Sequence, residues 1–327
     1  MILVTGGAGF IGSNLAAALA EQGMPVAICD RLRSGDKWRN ISKLELRDLV
    51  APEQLAVWLT QHGAALAAIV HMGAISSTTE TDADLIVETN FRLSQMLWRW
   101  CALNGKRFIY ASSAATYGAA EAGFEDDVST TALAQLRPLN AYGWSKLLFD
   151  RWAVREVALG NGHPTQWAGL KFFNVYGPNE YHKGGMQSVV AQKFAAAAAG
   201  EPITLFRSHR EGVSDGGQRR DFIYVTDCVQ VVLWLLANPK VNGIFNLGTG
   251  QARSFAELAS ALFAAVGKPP RVTYVDTPLP IRSSYQYFTE ARMERLRAEG
   301  YARPFMTLED GVRDYVQRYL SQPDRYR

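Results

Sequence analysis

Tyr142-Gly-Trp-Ser-Lys146 combines residue types and a spacing that suit proton chemistry on an alcohol. Of the 13 tyrosines in the chain, Tyr142 alone has a lysine four residues on. Residues at i and i+4 of a helix are neighbours, so a helical stretch puts the phenol and the ammonium on one face. A free phenol titrates near ~10 and shuttles protons poorly at neutral pH. A neighbouring cation favours phenolate and makes the tyrosine a usable general acid/base. Taken alone, the spacing equally suits a core tyrosine beside a surface lysine.

A second cluster opens the chain. Ile2-Leu-Val4 reads as a buried strand and Thr5-Gly-Gly-Ala-Gly-Phe-Ile-Gly12 as a tight turn. Leu15, Ala18 and Leu19 continue a helix that Gly23 can end. Gly6, Gly9 and Gly12 are evenly spaced, and Gly7, Gly9 and Gly12 also satisfy Gly-x-Gly-x-x-Gly. Strand before and helix after is the context in which a pyrophosphate sits on a helix N-terminus. A strand over 26–29 ends in Asp30, placed to reach ribose hydroxyls. Arg31, Arg33 and Lys37 follow and suit an adenosine 2′-phosphate, which favours NADP over NAD. The same three cations also read as a solvated basic loop.

The elements between these clusters must bring them together. Residues 44–46 are expected as a third strand, with Asp48 just past its end at the adenine edge. A fourth strand over 67–71 opens into the polar loop Met72-Gly-Ala-Ile-Ser-Ser-Thr-Thr-Glu80, which should border the cofactor because ligands bind at strand ends. His71 itself reads as a hydrogen-bonded strand residue. An amphipathic helix over 91–103, capped by Asn90, leads to a strand at 108–111 and the hydroxyls of Ser112, Ser113 and Thr116. Such a cluster is common turn chemistry, but facing Tyr142 one hydroxyl can hold a substrate alcohol. After the strand at 169–173 the alternation breaks, which marks entry into a smaller lobe. Residues 222–225 and the helix after them are expected to return to the sheet, followed by a late strand at 243–247. Helices are expected at 187–199, 255–266 and 308–320. The division is therefore 1–173 plus about 221–247 for the nucleotide domain, and 174–220 plus about 248–327 for the substrate lobe.

Composition narrows the class. A chain of 327 residues, 48% hydrophobic, can bury one large α/β unit or two packed domains. Its net charge of +3 comes from dispersed lysines and arginines, which gives no reason to expect nucleic acid or a membrane surface. Cys29, Cys101 and Cys228 are far apart and read as reduced thiols. No metal-ligand spacing is present. The longest apolar stretch near the middle, 231–237, is too short to span a bilayer, and no leader precedes the first strand. These features point to a soluble, cytoplasmic protein.

With the glycine turn, Ser113 and Tyr142/Lys146 in this order, the whole chain resembles the extended short-chain dehydrogenase/reductases, Rossmann-fold enzymes acting largely on nucleotide sugars. Ser76-Ser-Thr-Thr-Glu80, Ser112-Ser-Ala-Ala-Thr-Tyr-Gly118, Phe173-Asn-Val-Tyr-Gly-Pro178 and His182-Lys-Gly-Gly-Met186 are together similar to the ADP-L-glycero-D-manno-heptose 6-epimerase family. That resemblance implies a doubly wound parallel Rossmann sheet with an interlocked substrate lobe. It also implies one NADP per subunit, ADP-heptose as substrate, a role in making the lipopolysaccharide core, and a homo-oligomer, a pentamer by the family's habit. Ser113 would hold the carbon 6 oxygen, Tyr142 would move its proton, Lys146 would lower the phenol's pKa and bind the nicotinamide ribose, and Lys183 would be a second acid/base. The implied cofactor contacts add Phe10, Ile11, Met72, Gly73, Ala74, Ile75, Ser76, Asn90, Val175 and Lys183 to the glycines, Asp30, Arg31, Lys37 and Asp48. The implied substrate contacts are Asn174, Gly185, Gln192, Phe206, Arg207, Ser208, His209, Arg220 and Tyr285, with Arg220 on the diphosphate. Pro52 departs from the family's usual lysine, and the stretch 210–218 is longer than in its shorter members.

Inverting an unactivated carbon is hard by proton abstraction alone. Oxidation to a ketone and reduction on the other face achieves it with no net redox change. A 4-epimerase or a 4,6-dehydratase is the nearest rival, but a dehydratase wants an acid and a base where Ala114 and Ala115 stand. A non-catalytic dinucleotide sensor is the rival from another class, and it would not need the Tyr142/Lys146 pair.

Overall fold

A computed structural model describes residues 1–120, 123–282 and 285–327. Short, largely apolar runs form the strands of the central sheet, β-branched where they flank the glycine turn, as in Ile2–Thr5 and Ala68–His71. The first half contains β1 (Ile2–Thr5), α1 (Phe10–Glu21), β2 (Val26–Cys29), β3 (Asp48–Val50), α2 (Leu55–His62) and β4 (Ala68–His71). One long helix follows in three parts, α3 (Ala83–Ile86), a π-helical turn (Val87–Arg92) and α4 (Leu93–Leu103). Then come β5 (Arg107–Ser113), α5 (Thr130–Gln135), α6 (Ala141–Ala158) and β6 (Trp167–Phe172). The rest holds β7 (Asn174–Tyr176), α7 (Val189–Ala199), β8 (Ile203–Phe206), β9 (Arg219–Tyr224), α8 (Val225–Ala237) and β10 (Gly243–Leu247). It closes with β11 (Ala252–Ser254), α9 (Phe255–Ala265), β12 (Val272–Val275), α10 (Leu279–Arg282), α11 (Glu294–Ala298) and α12 (Leu308–Tyr315).

The expected doubly wound sheet is present, with seven parallel strands in the order β10-β6-β5-β4-β1-β2-β3. The chain runs outward from β1 to β3, then returns to β4 on the other side of β1. Ligand crevices form at such a reversal, outside the carboxyl ends of β1 and β4. Both faces of the sheet are dry. One is packed with Val4, Leu15, Val70 and Phe245, the other with Leu3, Trp98, Phe108 and Phe149. The smaller lobe has its own core around Tyr176, Leu205, Leu262 and Val312, and two small sheets, β11-β9-β7 and β12-β8.

Three expectations are corrected. The third strand lies at Asp48–Val50, because residues 44–46 make no ladder; only the Arg47 amide reaches back, to the Val26 carbonyl at 2.8 Å. The helix expected from residue 91 begins at Ala83, where the Asp82 carboxylate caps the Leu85 amide at 2.9 Å. Asn90 is therefore inside a helix and is not its cap. Residues 222–225 do not return to the large sheet: β9 pairs with β7 and β11, and the return begins with α8 and β10.

Buried carboxylates tie the lobes together. Asp221 on β9 accepts hydrogen bonds from the Thr249 and Gly250 amides at 2.7 and 2.9 Å and from the Ala291 amide at 3.0 Å. The three cysteines are buried and free. Among the described residues, no helix is long and apolar enough to cross a membrane, and no cluster of three or more His, Cys, Asp or Glu is placed to hold a metal.

Candidate active site

The turn between β1 and α1 is a glycine cradle. Gly6 has φ 64, and a Cβ there would lie 2.6 Å from the Gly73 Cα. A Cβ on Gly12 would lie 2.2 Å from the Gly6 carbonyl oxygen, so the first turn of α1 packs directly on the loop. Gly9 caps α1 without a side-chain bond, and the first turn holds no acidic residue. The opening amides of the helix are thus available to an anion, and the cradle fits a dinucleotide's pyrophosphate. Gly12→Ala should weaken dinucleotide binding at least about tenfold, since the added methyl must push helix and loop apart. Titration of dinucleotide fluorescence quenching checks this, and wild-type affinity would show the cradle tolerates the shift.

At the end of β2 the Asp30 carboxylate accepts from the Ala8 amide at 2.9 Å and from the Lys37 ammonium at 2.6 Å. Arg31 turns to Glu53, with Nε to Oε1 at 2.7 Å. Two of the three cations expected near a 2′-phosphate therefore have carboxylate partners, and Arg33 is left exposed with φ 54. Arg31, Arg33, Pro52, Glu53 and Ile75 line a groove that continues the cleft past Asp30. Asp48 does not reach the crevice. It sits at the start of β3, not past the end of a strand, and the Trp58 indole donates to it at 2.6 Å. Asn90 is buried, and its amide holds both the Ile75 amide (2.8 Å) and carbonyl (2.9 Å) and reaches the Ser145 hydroxyl at 3.0 Å. It braces the Met72–Ser76 loop from behind. His71 bonds Thr5 at 2.5 Å and Ser94 at 2.9 Å, and burial holds its pKa down to about 3, so it is a neutral strand residue as expected.

The main cleft, about 320 Å³, brings the two sequence clusters together. Gly6, Gly9, Phe10, Ile11, Gly12 and Asp30 line one side, and Met72, Gly73, Ala74 and Ser76 the floor. Ser113, Tyr142 and Lys146 line it too, with Val175 and with Lys183, whose ammonium sits over the Phe10 ring at the start of α1. α6 is helical from Ala141 because Asn140 caps it, its side chain accepting from the Gly143 amide at 2.8 Å. Ser113 ends β5, and its hydroxyl accepts from the Ala115 amide at 3.1 Å. Lys146 is buried and donates to the Ala111 carbonyl at 2.7 Å. Desolvation lowers its pKa to about 8, partly opposed by Asp150.

The expectation that Lys146 draws the Tyr142 pKa down is not met in this structure. Burial raises it, and the lowering influence is the neighbouring Ser113 side chain. The reason is geometric: the ammonium is held on the strand carbonyl. Lys183 lies in a short turn over Tyr181–Met186, its ammonium 5.1 Å from the Phe10 ring centroid. Burial lowers its pKa, with Glu180 pulling the other way.

The residues expected to bind substrate are more dispersed. Asn174 lies in a groove that shares Phe173, Val175, Lys183 and Met186 with the cleft. Gln192 folds back on the Gly185 carbonyl at 3.1 Å. Phe206 meets Tyr285 edge-on at 6.0 Å, and the Arg220 guanidinium sits 5.3 Å from the Tyr285 ring centroid. Arg220 is buried, bonds the carbonyls of Arg219 and Gln286, and pairs with no carboxylate among the described residues. Arg207 is half-exposed near Asp215 and Asp276, both at 3.9 Å. The Ser208 amide bonds Asp215 at 2.8 Å, and the His209 ring accepts from the Thr277 amide at 3.2 Å. None of these five from Phe206 to Arg220 lines the main cleft itself.

Sequence reasoning missed His182, an exposed residue that lines the cleft beside Lys183. It also missed Ala111, Phe172 and Phe173 in the wall. His182 had a signal, its place beside Lys183 in the most specific motif. The wall residues had none beyond lying at strand ends.

The profile of the NAD dependent epimerase/dehydratase family matches residues 2–248. The chain is 46% identical to an ADP-L-glycero-D-manno-heptose-6-epimerase of Fusobacterium nucleatum over the full length of both. It is 49% identical to one of Nitratidesulfovibrio vulgaris over 99% of each. Among solved structures, the ADP-L-glycero-D-manno-heptose-6-epimerase of Helicobacter pylori superposes with TM-score 0.79 at 30% identity, covering 97% of this chain and 95% of that one. Matched from end to end by such relatives, and holding the cradle and the Tyr142/Lys146 pair in one cleft, the chain belongs to the NAD dependent epimerase/dehydratase family, on the branch of the ADP-L-glycero-D-manno-heptose-6-epimerases.

Proposed function

We propose that the protein inverts carbon 6 of ADP-D-glycero-D-manno-heptose to give ADP-L-glycero-D-manno-heptose, with NADP as its resident cofactor. The observation that carries this reading is the single cleft lined by the glycine cradle, Ser113, Tyr142, Lys146 and Lys183. A bound nicotinamide dinucleotide supplies the acceptor and then the donor of hydride at carbon 6. The chain's own residues manage everything else. Ser113 holds the carbon 6 oxygen, and Tyr142 takes its proton as the ketone forms. Lys146, charged through neutral pH, binds beside the cofactor ribose. Lys183 serves the oxygen when the other face of the ketone is presented. Arg220, a buried cation with no carboxylate partner, suits the substrate's diphosphate, and Asn174, Phe206 and Tyr285 flank the path to it.

Ala114 and Ala115 follow Ser113 in a short turn, so no acid–base pair for water elimination stands there. That favours epimerisation over dehydration. Arg33, the one of the three cations with no carboxylate partner among the described residues, supports NADP, and the buried free thiols support a cytoplasmic protein. The test is to release and identify the cofactor from purified protein, then incubate the protein with ADP-D-glycero-D-manno-heptose without added dinucleotide. Conversion to the L-glycero epimer with NADP released is expected. Turnover that needs added NADP and accumulates NADPH, or a change at another carbon, overturns the reading. Light scattering on the same preparation reads the pentamer that the family resemblance implies.

A further inference from the structure

Behind the end of β5 lies a group of buried charges that the reaction does not touch. α6 repeats its four-residue step once more, Asp150 following Lys146 as Lys146 follows Tyr142, so the three share a face. The Asp150 carboxylate is fully buried. It accepts from the Tyr110 hydroxyl at 2.9 Å and from the Ser112 hydroxyl at 2.6 Å. Ser112 adjoins Ser113 and stands opposite Lys171 in the β5–β6 register. Lys171 is also buried, its ammonium has no hydrogen-bond partner, and it lies 4.3 Å from the Tyr117 ring centroid.

A buried carboxylate is costly unless it is bonded and balanced by charge, and an apolar residue would pack there at less cost. Two hydroxyls supply the bonds. Lys171 and Lys146 supply the charge, and each reaches Asp150 from a different element. We infer that Asp150 is a positioning residue for the Tyr142/Lys146 pair. Its charge, maintained by Lys171, fixes how firmly Lys146 holds its proton, and its bond to Ser112 fixes the strand end that carries Ser113. The inference rests on the proposed reaction for its catalytic meaning only.

The other titratable groups around this carboxylate are Tyr110 on β5, Tyr117 after it, and Tyr142 on α6 itself, with phenols all raised by burial and neutral below pH 9. Asp126 and Arg295 act on it through Lys171. His71 faces Lys146 from β4 and is neutral. The sign follows. Asp150 raises the proton affinity of Lys146, so removing its charge lowers the Lys146 pKa from about 8. Burial raises the proton affinity of Asp150 itself and the Lys171 cation holds it down, so removing that cation lets the carboxylate take up a proton and lowers the Lys146 pKa as well.

The experiment compares wild type, Asp150→Asn and Lys171→Met. Trace acetylation with acetic anhydride across pH, read by mass spectrometry at Lys146, gives the protonation midpoint without any turnover. The midpoint should fall by about one pH unit in Asp150→Asn and fall, by less, in Lys171→Met, where the carboxylate is only partly neutralised. The basic limb of the turnover profile with ADP-heptose should move down in both. Midpoints that stay put or rise overturn the inference, since a purely structural role gives no reason for a common downward shift. If Asp150→Asn does not fold, Lys171→Met decides alone: a fall supports the inference and its absence overturns it. A wild type that fails to turn over ADP-heptose sinks the proposed function, while the acetylation midpoints still judge this inference.

Discussion

Tyr142→Phe should cut turnover of ADP-heptose by ~100- to 10,000-fold, the usual consequence of losing a positioned general acid/base. The substitution removes one oxygen from a half-buried ring and leaves the ring's packing on α6 in place. The dinucleotide cradle is formed by other elements, so cofactor content and thermal unfolding should match wild type. The phenol is the group best placed for the proton because it lines, with Ser113, the same cleft as the glycine turn. Burial keeps it protonated at neutral pH in the free protein, so its base form depends on cations gathering around the occupied cleft. Initial rates with either epimer check the effect. Activity within a few-fold of wild type would make Tyr142 a structural tyrosine and return the reaction to another base.

The second large effect is expected at Lys183. A ketone at an exocyclic carbon can turn about its bond to the sugar ring and present its other face, which carries its oxygen away from Tyr142. A second acid/base is then wanted across the cleft, and Lys183 lines that cleft on a different element. Its ammonium is largely desolvated, packed against Phe10, and held below the ordinary lysine pKa by that burial. Lys183→Met keeps the length and apolar stem of the side chain. It should slow epimerisation from both epimers by about 100-fold or more, while ADP-heptose still binds. Near-normal kcat with weakened affinity would mean that Lys183 only holds a phosphate. Rates and binding isotherms for the two epimers separate these outcomes.

How much of this was legible in the sequence varies with the kind of information each residue carries. Backbone demands were readable at the glycines, Gly6 and Gly12 being where the structure has no room for a Cβ, whereas Asn140 and Asp82 do not stand out as caps and Asn90 wrongly does. Side-chain partners were not readable. Arg31 and Lys37 read as free cations, yet Glu53 and Asp30 hold them, because charge is visible in a sequence and pairing across a loop is not. Lys146 was placed on the right face, but whether its ammonium meets Tyr142 or the Ala111 carbonyl depends on β5. The third strand was misplaced because β3 is a three-residue edge strand with two exposed residues, so the apolar pattern that marks a buried strand is missing. Arg219–Tyr224 looks like any buried strand, and only pairing to β7 and β11 tells which sheet owns it.

The π-helical turn at Val87–Arg92 gives the long helix from Ala83 to Leu103 two phases. Ile86, Asn90 and Ser94 are buried at intervals of four, whereas Leu97, Trp98 and Cys101 follow ordinary α-helical spacing. The wide turn takes up the mismatch, so Asn90 meets the Ile75 loop while Trp98 stays in the aromatic core. The extra residue of such a turn is absorbed locally, so deleting one residue there would relax it to α-helix and leave Ile86 and Trp98 in phase with each other. What the deletion would disturb is the placement of Asn90 on the Ile75 loop. Length at that turn therefore matters to the floor of the cleft rather than to the core.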